Sequence, residues 1–158
     1  MKKQILVGLA LASLLALSAL PAARADSFDQ ATKINFSAPV RVPGQVLPAG
    51  TYWFVLLDHG GSQKVVQIFN AHRTSLIDTV VTGNADRLQP TGRTVLAFAE
   101  PDTSVNAYGD VPALTKWFYP GDDVGHQFIY SNHRERELQH ETQVLVRVGP
   151  NGEAAVRG

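Results

Sequence analysis

The chain has 158 residues, no cysteine, and fourteen Lys and Arg balanced by fourteen Asp and Glu. These values exclude a disulfide-stapled scaffold and a strongly basic surface for nucleic acid or anionic lipid. They leave room for one apolar core, on which stability must rest.

The first residues read as an address rather than as part of the fold. Met1-Lys2-Lys3 is basic, Ile5 to Leu20 is almost wholly apolar, Pro21 breaks the run, and Ala23-Arg24-Ala25 supplies small residues. That is the three-part pattern of a secretory signal peptide, with cleavage expected between Ala25 and Asp26. The apolar run is short for a bilayer span. No cysteine follows it, which excludes a lipid-anchored lipoprotein. Removing residues 1–25 from 158 leaves 133, enough for one ordinary domain. The expected division is a signal peptide over 1–25, a β-sandwich domain over 26–148 and a flexible tail over 149–158. Lys2, Lys3 and Arg24 leave with the signal, so eleven cations face fourteen acids and the mature charge is −3. The expected location is the periplasm or the exterior, with no membrane span in the mature form and no nucleic-acid partner.

From Asp26 onward, short strands alternate with turns. Lys33 to Ser37 alternates polar and apolar, as a half-buried strand does. Val40, Val42 and Val46 surround a Pro43-Gly44 turn. Leu47 to Asp58 carries apolar or aromatic residues on both alternating faces, the pattern of a strand buried on both sides. Gln63 to Phe69 and Ser75 to Thr82 continue a meander, and Gly83 to Arg93 reads as a loop. Thr94 to Glu100 is the next strand, and Pro101 to Pro112 the loosest stretch. Leu114 to Tyr119 and Gln127 to Tyr130 form a hairpin across Pro120 to Gly125. Ser131 or Asn132 is suited to cap a short surface helix through Leu138, and Thr142 to Val148 is a last strand. The expected fold is all-β: an antiparallel β-sandwich or flattened barrel of about eight strands with one short C-terminal surface helix.

Two pieces, Val42-Pro43-Gly44-Gln45-Val46-Leu47-Pro48-Ala49-Gly50-Thr51-Tyr52 and Lys116-Trp117-Phe118-Tyr119-Pro120-Gly121-Asp122, together with Val66-Gln67-Ile68-Phe69-Asn70, resemble a group of small uncharacterised exported bacterial proteins. The resemblance spans most of residues 28–130 and implies export and a small β-rich domain. It implies no catalytic or binding residues.

Catalytic signatures are missing. No Cys, Gly-x-Ser-x-Gly or Ser-x-x-Lys pattern occurs, and Asp58, His59 and Ser62 share one tight turn where triad geometry is hard to reach. Neither a Walker nor a Rossmann pattern appears, so no cofactor is expected. His133 and His140 stand too far apart on a helix for one ion. Asp110, Asp122 and Asp123 offer oxygen donors on loops, without an EF-hand pattern; solvated turn acids are the better reading, and no metal is expected.

The aromatics remain. Strand alternation places Trp117 and Tyr119 on one face of their strand, with Phe118 on the other beside Leu114 and Lys116. Trp53, Trp117, Tyr119 and Tyr130 are the candidates for a ligand or partner surface, a glycan or an envelope protein being the expected partner. The opposing reading is that these rings fill the core. Gln143 to Val148 is a candidate donor strand for assembly, against an ordinary last strand. The sequence therefore favours a non-enzymatic binding or structural domain of the cell envelope. A hydrolase with an unfamiliar site is the alternative.

Overall fold

The computed structural model describes residues 30–57, 64–87, 89–100, 111–131, 136, 138 and 141–156. Its strands are β1 (Ala31–Phe36), β2 (Val40–Val42), β3 (Gln45–Leu47), β4 (Gly50–Leu57), β5 (Lys64–Asn70) and β6 (Leu76–Asp86). They continue as β7 (Val95–Glu100), β8 (Ala113–Phe118), β9 (Val124–Phe128), β10 (Thr142–Arg147) and β11 (Glu153–Ala154). All belong to one sheet with the order β10-β7-β8-β9-β6-β5-β4-β1-β11, and the β2–β3 hairpin attaches to β8. Pairing is antiparallel except at β1–β11 and β2–β8. The chain is thus mostly β, as its pattern predicts, but in one open sheet of more strands than eight.

Two features show that the sheet rolls. Phe36 of β1 meets Phe98 of β7 edge to face at 6.3 Å, although five strands lie between theirs in the sheet. The two edge strands, β10 and β11, are joined by only residues 148–152. A chain of that length reaches about 20 Å at full extension, so the edges of the sheet must come near each other.

The bend is made in β6. Its first part pairs with β5 and its last part with β9, and Thr82 pairs with both Lys64 and Phe128. Thr82 is fully buried, and its hydroxyl donates to the Lys64 carbonyl at 3.0 Å. Gly83 follows, where a strand turns a corner without a side chain in the way. The sequence reading ended this strand at Thr82; the structure carries it four residues further.

Inside the roll, Phe54 is the hub. Its ring lies 6.1 Å from Phe36, 6.2 Å from Trp117 and 6.2 Å from Phe128, all near-perpendicular contacts of the kind aromatic quadrupoles favour. Tyr52, Phe54 and Leu56 of β4 all enter this core. The opposite face of β4 is only partly covered: Val55 is buried, but Trp53 is half-buried. The strand is therefore not enclosed on both sides as its pattern suggests.

In β8 a bulge resets the alternation. Ala97 faces Lys116 and Phe98 faces Leu114, which leaves Thr115 without an opposite residue. Leu114 consequently enters the same core as Trp117, and Phe118 joins a small outer cluster with Ala85 and Val95. The expected face shared by Leu114 and Phe118 does not form. The buried Thr115 hydroxyl lies 3.0 Å from the Ala97 carbonyl and steadies the bulge.

The C-terminal end also departs from expectation. Residues 149–156 are not a frayed tail, because Glu153–Ala154 pairs with β1, Asn35 donates to the Gly152 carbonyl at 2.7 Å, and Val156 packs on the core. Gly152 sits at φ +91°, and a Cβ there would approach the Lys33 carbonyl to 2.7 Å, so only glycine allows this docking. The strand Thr142–Arg147 pairs with β7 inside its own sheet rather than serving as a donor. Most of the expected helix after Ser131 lies outside the described residues, as do the signal region and the loop 101–110; Leu138, however, is buried in the core rather than lying on the surface.

Replacing Phe54 by Ala is expected to cost about 3–5 kcal/mol, read as a shift in the urea midpoint. Gly125 is the sharper packing test, since a Cβ there would meet the Trp117 carbonyl at 2.6 Å and the Phe118 ring at 2.4 Å. Gly125→Ala should destabilise by about 1–3 kcal/mol, and a neutral result would contradict the packing of β8 on β9. Burial pushes the Tyr52 phenol above its ordinary value, and its hydroxyl donates to the Pro48 carbonyl at 2.8 Å. An acid whose folded pKa is raised contributes stability below its unfolded pKa of about 10, lost as pH rises through the folded value. Denaturation midpoints measured from pH 8 to 11 should fall at the alkaline end, and less steeply in Tyr52→Phe.

Candidate functional site

The site begins with a turn. Asn70 closes β5, and its side-chain carbonyl accepts from the amides of Thr74 (2.9 Å) and Ser75 (3.3 Å). Its backbone carbonyl accepts from Arg73 at 3.0 Å, with Arg73 held at φ +57°. An Asn side chain that bonds the following backbone is how such a turn stabilises a left-handed residue. The result places the Arg73 guanidinium over the Trp53 ring, 5.2 Å from its centroid. The indole N–H donates to the Ala71 carbonyl at 3.2 Å, which fixes the ring in its plane. Across the sheet, Trp53 stands opposite Lys33 of β1, so the two side chains are neighbours on the same face.

Tyr119 is positioned from the other side of the roll. Arg87, just after β6, donates through Nε to the Asp122 carbonyl (2.7 Å) and through Nη2 to the Tyr119 carbonyl (3.1 Å). Its guanidinium also covers Phe118, 5.0 Å from the ring centroid. The Gly121 amide donates to the Thr91 carbonyl at 2.9 Å, which binds the hairpin loop to the segment before β7. One cation thus organises the whole Tyr119–Asp123 loop.

Between these two supports lies a groove of about 670 Å³. Trp53 and Tyr119 line it together, both half-buried, with Lys33 and Arg93 as its exposed cations. Thr32 and the 148–152 loop complete its wall. Thr32 is only 8% exposed, and its hydroxyl has no hydrogen-bond partner among the described residues. Asn151 is oriented by Glu153, whose two carboxylate oxygens accept from the Asn151 amide group (3.0 Å) and backbone N–H (3.3 Å). A hydrogen bond from its own backbone, and after it those from Asn151, hold the Glu153 carboxyl below the usual carboxylate range. They also leave the Asn151 side-chain carbonyl as an acceptor.

Of the four aromatics singled out from the sequence, the structure brings Trp53 and Tyr119 to one surface. It does not bring the other two. Trp117 is fully buried at the centre of the core, its ring 5.2 Å from that of His126 and its indole N–H without a hydrogen-bond partner among the described residues. Tyr130 is also buried, its hydroxyl shared between the carbonyls of Leu114 (2.8 Å) and Arg41 (3.0 Å), where it ties β2 to β8. Both are structural rings. Lys33, Arg93, Thr32 and Asn151 were not legible as site residues, because no local pattern marks positions that only the roll assembles.

Asp122 and His126 are tied into the fold. Asp122 accepts from the Gln30 side-chain amide, and Gln30 in turn accepts from His126 Nε2 at 3.0 Å. His126 is 3% exposed. Among the described residues no three His, Asp or Glu side chains gather as a metal site would require. Asp58, His59, Ser62, Asp110, His133 and His140 lie outside the described residues.

Arg87→Ala should cost about 1.5–3 kcal/mol, because two carbonyls lose a charged donor. Arg87→Lys should recover little, since one ammonium cannot fork between them. Comparison with known proteins adds no neighbour: no family model matches the chain, no curated protein matches it, and no solved structure matches it.

Proposed function

We propose that the protein is an exported, non-enzymatic β-domain that binds glycan in the cell envelope through the groove shared by Trp53 and Tyr119. One observation carries this reading: two half-exposed aromatic rings, from β4 and from the end of β8, line one groove of about 670 Å³. The apolar C–H face of a sugar ring stacks on such rings, and the polar groups around them suit its hydroxyls. The signal-like N-terminus and the resemblance to small exported bacterial proteins support export. The Phe36–Phe98 contact supports reading the rolled sheet as a flattened barrel or sandwich.

The tryptophans divide between the two binding readings. Trp53 reaches the surface, which favours a glycan; Trp117 is core, and would count towards assembly through a sheet edge. The hydrolase alternative needs a cleft gathering His with Asp or Ser, whereas His126 is buried and meets Asp122 through Gln30.

The test is retention of the purified protein on isolated cell-wall and polysaccharide fractions, with Trp53→Ala and Tyr119→Ala alongside. Wild-type protein should be retained, and each variant should lose retention while keeping its circular dichroism. Equal retention of all three would place binding elsewhere. Trp117→Ala is unsuited as a binding probe, since removing a buried ring of that size costs about 3–5 kcal/mol.

A further inference from the structure

We infer that the groove selects an acidic glycan, one whose sugar units carry carboxylate or phosphate groups, over a neutral one. This inference rests on the glycan reading above and adds the charge of the ligand. Two cations, Lys33 and Arg93, line the groove and are exposed, and among the described residues no Asp or Glu lines it. Neither Lys33 nor Arg93 makes an ion pair among the described residues. A third cation, Arg73, lies over the Trp53 ring from outside the groove and adds to the same field. That concentration stands against a mature chain whose overall charge is −3. Positive charge gathered in one groove of an otherwise acidic protein raises the local concentration of anions.

The polar complement is that of a sugar rather than of a bare anion. Thr32 is a wall residue only, because alternation puts its side chain on the core-facing side of β1 with Ile34 and Phe36, opposite Lys33. Asn151 presents a carbonyl acceptor fixed in place by Glu153, which is not itself among the lining residues. The carboxylate nearest in sequence is therefore committed to its own turn. Arg73 covers the Trp53 ring at 5.2 Å from its centroid, and Trp53 lines the groove. Stacking on Trp53 and Tyr119 would hold the pyranose, while Lys33 and Arg93 would pair its acidic substituent.

The experiment is affinity electrophoresis of the protein, expressed from its full-length chain, in gels containing one of four probes. These are polygalacturonate, its methyl ester, poly(glycerol phosphate) and a single-stranded oligonucleotide. Retardation by polygalacturonate is expected, at least about tenfold stronger than by the ester, which has the same backbone without the charge. The double variant Lys33→Gln, Arg93→Gln should lose that advantage and bind acid and ester alike, with unchanged circular dichroism. Added salt should weaken only the acidic complex. Retardation by poly(glycerol phosphate) alone, a polyanion with no sugar ring, would overturn the inference. Equal affinity for acid and ester in the wild type overturns the charge selection and leaves the glycan reading standing. Retardation by none of the polymers overturns both. Equal retardation by the oligonucleotide, a polyanion without pyranose rings, shows that the groove reads charge alone, and overturns the inference.

Discussion

Phe54 is the side chain on which the rest of the molecule depends. It stands at the meeting point of β1, β4, β8 and β9 through its contacts with Phe36, Trp117 and Phe128. A sheet that is open at both edges has no ladder between those edges to hold it rolled, so the roll is held by what it encloses and by a few bonds across it, from β2 to β8 and from Gln30 to Asp122 and His126. Aromatic rings meeting edge to face supply that, since their contact is both large in area and directional. The short β10–β11 connection then limits how far the edges can part. With no disulfide available, the core, this tether and the bonds across the roll carry the architecture between them.

The groove is a consequence of the roll. Lys33 and Trp53 come from neighbouring strands, but Arg93, Tyr119 and Asn151 come from segments far away in the chain. They converge because β6 bends at Thr82 and hands the sheet from β5 to β9. Each aromatic is then set by an arginine that does not line the groove: Arg73 on the Trp53 ring, Arg87 on the Tyr119 backbone. Rigid support of this kind keeps the ordering cost of binding low.

Much of the strand layout was legible in the sequence. Pro43-Gly44 marks the β2–β3 turn, and the valines and aromatics of β4, β5 and β8 mark strands because such residues suit a pleated half-buried surface. What failed was local polarity standing against tertiary pairing. Gly83-Asn84-Ala85-Asp86 reads as a loop but is the second half of a bent strand, paired with β9. Glu153-Ala154 follows a Gly-Pro-Asn-Gly turn and reads as a tail, yet Ala154 is 1% exposed beside β1. The phase of β8 was lost because a one-residue bulge at Thr115 has no signature in composition. The aromatic candidates separated for the same reason: alternation tells which rings share a face, and only the roll decides which face is inside. Trp53 and Tyr119 came out at the rim, and Trp117 and Tyr130 inside.

The chain holds two tryptophans, and their different surroundings allow one direct measurement of the binding account. In a nitrogen-15-labelled sample each gives an indole N–H resonance, Trp53 from the groove and Trp117 from the core. Titrated with polygalacturonate fragments, the Trp53 signal should move progressively to saturation while that of Trp117 stays in place. A Trp53 signal unmoved by polygalacturonate and by neutral fragments alike would contradict the account.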